Sequence, residues 1–80
     1  VMRICEATNL RINELRKQRR LTEYALIYQT GMPPSTVKSI LHGKSMNPGI
    51  VNIKKIAEGL GVTMREFYDS DIFDELEPED

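Results

Sequence analysis

Gly31, followed two residues later by Pro33-Pro34, constrains this chain more than any other feature. Glycine takes the left-handed conformation that ends a helix at no steric cost. Proline is tolerated only in a turn or in the first turn of a new helix. Upstream, Thr22 stands as an N-cap and Glu23 adds favourable charge to the first turn, and Ala25, Leu26 and Ile27 follow. The pattern therefore dictates two short helices meeting at a sharp corner. The second covers about residues 34 to 42, buries Val37, Ile40 and Leu41, and stops at Gly43.

The rest of the chain reads the same way. Cys5, Thr8, Ile12 and Leu15 recur at helical intervals and define a first helix over residues 4 to 19. Its other face, with Arg11, Asn13, Arg16 and Lys17, is expected to point outward, and Arg19 and Arg20 complement its C-terminus. Val51, Ile53, Ile56, Ala57 and Leu60 carry a strong amphipathic period that ends at Gly61. Thr63 then caps a short fifth helix whose Met64, Phe67 and Tyr68 close the core. No strand pattern occurs, so the fold class is all-α, with five short helices.

Eighty residues hold one domain with one modest core, and 40% apolar with 29% charged residues describes a folded chain. The single Cys5 and single His42 supply neither an internal disulfide nor a zinc ligand set, and Cys5 reads as a small packing residue. No metal or other cofactor is expected. No apolar run is long enough to span a bilayer and no signal-peptide pattern opens the chain, so no membrane association is expected and the expected compartment is the cytoplasm.

The net charge of −1 hides an asymmetry. Residues 1–68 hold all eleven Lys and Arg against five acids, a net of +6, whereas residues 69–80 hold seven acids and no base. The division into a body, 1–68, and an acidic tail, 69–80, points either to nucleic-acid binding or its regulation or to a tail that only aids solubility.

The segment LTEYALIYQTGMPPSTVKSILHGK, residues 21–44, resembles the Cro/CI-type, or xenobiotic-response-element, helix-turn-helix family. The matching marks are Leu21-Thr22, Gly31, Ser35-Thr36-Val37, Ile40 and Gly43-Lys44. Downstream, Asn47-Pro48 and the run from Ile53 to Thr63, with its Leu60-Gly61-Val62 step, resemble the family too, over about residues 8 to 70 in all. The resemblance implies a lambda-repressor-like domain in which the helix after the corner lies in the major groove of double-stranded DNA. Base reading is then expected from Pro34, Ser35, Lys38 and Ser39, with hydroxyls able to bond any base edge and Lys38 suited to guanine. Phosphate contacts are expected from Thr22, Thr36, Lys44, Ser45 and Asn47.

Two positions depart from the family pattern. Glu23 stands where a phosphate-binding Gln is usual and would repel a phosphate unless it turns aside or pairs with a nearby Arg. Ile27 replaces a customary Ala, so Gly31 and Met32 or Pro34 must accommodate its bulk. His42 reads as a turn residue, and Tyr24 and Tyr28, four apart, as packing or backbone-contact residues.

In the tail, Ile72, Phe73 and Leu76 sit among acids at spacings that place them on one side of a helical turn. With Phe67, they are the expected contact to a second copy of the chain or to another protein. The expected function is sequence-specific regulation of transcription, as a repressor and homodimer. The alternative is an antitoxin-like or accessory module that engages a protein through its tail. No nucleophile-base set, paired carboxylates, metal cluster or phosphate loop supports an enzyme.

Overall fold

The Oγ1 of Thr22 accepts a hydrogen bond from the Ala25 N–H at 3.0 Å, and Gly31 closes the helix it opens with a φ of 67°. In this computed structural model, which describes residues 2–79, that helix is α2 (Glu23–Thr30) in the order α1 (Ile4–Gln18), α2, α3 (Pro34–Leu41), α4 (Ile50–Leu60) and α5 (Met64–Phe67). A 3₁₀ turn, Asp71–Phe73, follows. The five helices stand where the periodicity places them, and the only strand-like pairing among the described residues is an isolated bridge between Met2 and Leu76.

The core gathers Ile12 and Leu15 of α1, Leu26 of α2, Val37, Ile40 and Leu41 of α3, Ile53, Ile56, Ala57 and Leu60 of α4, and Phe67. Such burial of apolar surface is the main favourable term in folding. The most extensive helix contact is α2 on α4, and Gly59 makes it possible. A Cβ there would lie 3.0 Å from Thr30 Cγ2 and 3.2 Å from Leu26 Cδ1, so any side chain at this position would press those two groups back by a few tenths of an ångström. Ile27, half-buried against the core, shares a shallow groove with Gly31, Met32 and Pro34; the corner admits its bulk.

Several side chains lie elsewhere than the periodicity suggests. Tyr24 and Tyr28 are 80% and 81% exposed and pack in no core. They stand two residues either side of buried Leu26, about 200° around the helix from it. Val51 is exposed for the same reason relative to Ile53. Arg11 does not point into solvent: only 11% of its side chain is exposed. Its guanidinium pairs with Glu14 and donates to the carbonyls of Phe67 (2.7 Å), Glu66 (2.7 Å) and Asp69 (3.2 Å), holding the C-terminal end of α5. Arg16 likewise turns inward, donating to the Leu21 carbonyl at 3.0 Å and to Asn13 Oδ1.

The tail is not a free segment. Phe73 packs edge-on against Tyr68, ring centroids 5.0 Å apart, and lies 6.5 Å from Phe67. Farther on, the Glu77 N–H donates to the Met2 carbonyl at 3.0 Å, and Arg3 and Glu79 approach to 3.9 Å. Ile72, Phe73 and Leu76 are half-buried on their own domain. Phe67, expected as a contact for a second molecule, is fully buried and offers no surface to one. The last acid of the tail, Asp80, lies outside the described residues.

Candidate nucleic-acid interface

Burying Val37, Ile40 and Leu41 on one side of α3 fixes what the other side presents. Pro34, Ser35 and Lys38 are exposed, and Thr36 and Ser39 half-buried. Beyond His42, which ends the helix with φ −94° and ψ 9°, the chain turns back over α3. The N–H groups of Lys44 and Ser45 both donate to the Ser39 carbonyl, at 2.9 and 3.2 Å. That reversal brings the following loop alongside the helix, and a shallow polar groove forms between Ser35, Thr36, Ser39, Ser45, Asn47 and Asn52.

Five residues expected at the site, Ser35, Thr36, Ser39, Ser45 and Asn47, thus share one groove. Lys38 stands on the exposed face of the same helix, one turn from Pro34, and Lys44 is exposed in the loop. Thr22 is separate: it caps α2 with its hydroxyl and is exposed at that helix's N-terminus. Asn52 was not foreseen. Its Nδ2 donates to the Pro48 carbonyl at 2.8 Å, tying the loop to the start of α4, and the polar residue between Val51 and Ile53 was its only signal in the sequence.

The pose of α3 is set from α1. Asn9 Nδ2 donates to the carbonyls of Ile40 (2.9 Å) and Leu41 (2.6 Å), and Asn13 Nδ2 reaches the Leu41 carbonyl at 3.1 Å. These carbonyls close the C-terminal turn of α3, where the regular helical donors run out; the Gly43 N–H also reaches the Ile40 carbonyl, at 3.2 Å. The periodicity assigns neither amide this role and places Asn13 on the outward face, whereas its side chain reaches α3. A second tie joins α3 to α2: His42 Nε2 lies 3.0 and 3.2 Å from the two carboxylate oxygens of Glu23. The side chain expected to repel phosphate therefore turns aside onto a partner nineteen residues away, and His42 is more than a turn residue.

Two helices joined at a tight corner, the second presenting a polar, partly basic face and held by its neighbours at its far end, define a helix-turn-helix DNA-binding unit. The Cro/C1-type helix-turn-helix DNA-binding domain model matches residues 11–70, and the chain belongs to that family. No curated protein and no solved structure shows significant similarity to it. The match begins within α1 and runs through α5, so it includes the whole groove beside α3. No helix among the described residues is long and apolar enough to cross a membrane.

Proposed function

We propose that this chain is a sequence-specific regulator of transcription that occupies a double-stranded site in the cytoplasm, lays α3 in the major groove and represses by occupancy. The observation that carries the reading is the continuous surface of Pro34, Ser35, Lys38 and Ser39 on α3 with Ser45 and Asn47 beside it. Base-edge groups stand on the helix, and groups suited to phosphate oxygens flank it. Thr22 and Lys44 extend the phosphate track, and the +6 charge of residues 1–68 supplies the salt-dependent share of affinity.

A homodimer reading two half-sites about 34 Å apart suits a domain of this size. The tail gives that dimer little to work with, since Ile72, Phe73 and Leu76 cover their own domain. Ile50 and Val51, exposed at the start of α4 just after the loop, are better placed to meet a second copy. The burial of the tail also weighs against the antitoxin-like reading, which needs those side chains free.

Selection from a randomised duplex pool, followed by fluorescence anisotropy at two salt concentrations, tests the reading on wild type and on the Lys38→Ala, Ser39→Ala double variant. The expected result is a two-fold symmetric motif that the variant no longer prefers, with salt-sensitive binding retained. Enrichment of no sequence overturns it and moves a protein partner to first place.

A further inference from the structure

The entry to α3 is unusual for a helix that meets DNA. Pro33 is its N-cap and Pro34 its first residue, and both are exposed. Neither has an N–H, and the N–H groups of Thr36 and Val37 are already directed at the Pro33 carbonyl, at 3.1 and 3.3 Å. Of the donors a helix N-terminus normally leaves open for an anion, this one keeps the Ser35 N–H. The leading edge is instead two pyrrolidine rings, with Met32 and Ile27 in the groove behind Pro34.

In a helix-turn-helix unit the N-terminal residues of the second helix meet base edges. A proline there can neither donate nor accept from its side chain. The one feature of the major-groove edge that an apolar ring favours is the C5-methyl group of a pyrimidine. We propose that Pro34, supported by Pro33, makes this chain a reader of pyrimidine 5-methyl groups, so that thymine and 5-methylcytosine are bound in preference to uracil and cytosine at the base pair it faces. Lys38 lies one turn farther along the same face, about 6 Å along the helix axis, and adds a guanine preference one or two base steps away. A consequence is that cytosine methylation within the site strengthens binding.

This inference rests on the DNA-binding reading above, and the experiment separates the two. Each thymine of the selected duplex is replaced in turn by deoxyuridine, which removes only the methyl group. Where a C·G pair is tolerated at the same position, cytosine is compared with 5-methylcytosine. At one position per half-site, deoxyuridine is expected to weaken binding about fourfold, the effect of leaving one methyl group unburied, and 5-methylcytosine to bind about fourfold more tightly than cytosine. Pro34→Ser is expected to abolish both differences while leaving Lys38-dependent selectivity in place. A selected site indifferent to every methyl group, or a preference that persists in Pro34→Ser, overturns the inference and leaves the DNA-binding reading standing. Enrichment of no site overturns both.

Discussion

The carboxylate of Glu23, at the first turn of α2, and Nε2 of His42, at the end of α3, meet at 3.0 Å. They tie the start of the helix-turn-helix unit to its finish. Both side chains are close to half exposed, so the pair contributes little to stability, at most about 1 kcal/mol. On the proposed DNA-binding reading, its importance is for what approaches from outside: the pair engages the negative charge of Glu23 with His42, beside the phosphate contact proposed at the N-terminus of α2.

Replacing Glu23 by Gln removes that charge and keeps the size of the side chain. Affinity for duplex DNA at low salt is expected to rise a few-fold, on the scale of about 1 kcal/mol for one surface charge, with thermal unfolding nearly unchanged. Anisotropy titrations read the first quantity and a thermal melt the second. Unchanged or weaker binding would place Glu23 away from the phosphates.

The Asn9 and Asn13 amides should govern how α3 is presented. The Asn9→Ala, Asn13→Ala double variant leaves the Ile40 and Leu41 carbonyls without their side-chain donors, at an expected cost of about 1–3 kcal/mol in urea unfolding. At temperatures where the variant is fully folded, its preference for the selected site over random duplex should also fall. A pure stability loss with undiminished preference would restrict both residues to a folding role.

Gly59→Val tests the contact between α2 and α4. Its first added carbon would meet Thr30 and Leu26 at 3.0–3.2 Å, and two further carbons must be fitted beside it. Overpacking of this kind costs about 1–3 kcal/mol, readable as a lower urea midpoint at unchanged slope. A variant as stable as wild type would show that α2 can shift freely on α4.

Glu66 provides a pH dependence. Its carboxylate accepts the Thr63 N–H at 2.9 Å while the Thr63 hydroxyl accepts the Glu66 N–H at 3.1 Å. The backbone hydrogen bond from Thr63, then that residue's side chain and the nearby Arg19 charge, hold the Glu66 carboxyl below its ordinary value of 4.5. Because the folded value lies below the unfolded one, the contribution is complete above about pH 4.5 and is lost as pH falls through the lower folded value. Melting temperatures between pH 6 and pH 3 should therefore fall less steeply for Glu66→Gln than for wild type. Parallel curves would remove Glu66 from the acid response.

Truncation after Asp69 removes Phe73 from its place against Tyr68 and Phe67 and removes the link from Glu77 to Met2. A loss of about 1–3 kcal/mol in stability is expected from the uncovered aromatic surface, with the oligomeric mass unaltered, as sedimentation can measure. A truncated chain that is equally stable but falls from dimer to monomer would return the tail to the subunit contact.

The helices and their ends were legible because the signals are local. Thr22 and Thr63 cap within three residues of themselves, Gly31 and Gly61 take the left-handed turn, and Val37, Ile40 and Leu41 repeat with the period of one turn. The outward face of α3 followed from that stripe, which is why Pro34, Ser35, Lys38 and Ser39 were legible as candidates. Of packing or backbone contact, the exposure of Tyr24 and Tyr28 excludes packing, because an eight-residue helix buries a narrow stripe, here completed by Leu26 alone, and aromatic character says nothing about which side of it a residue occupies. The tail reads as a contact for a second molecule because no local pattern announces that Phe73 returns to Phe67 and Tyr68 and Leu76 to Met2.

By itself the sequence determined five helices, the corner at Gly31 and the prolines, and the residues facing out from α3, since each follows from backbone preference or from a repeat within one or two turns. Tertiary structure alone decided the roles of the polar side chains that reach across helices. Arg11 reaches carbonyls more than fifty residues away, Asn9 and Asn13 reach across about thirty, and Glu23 finds His42 across nineteen. Long polar side chains on a helix surface satisfy whichever buried carbonyl or opposite charge the packing brings near, and that partner exists only once the helices have docked.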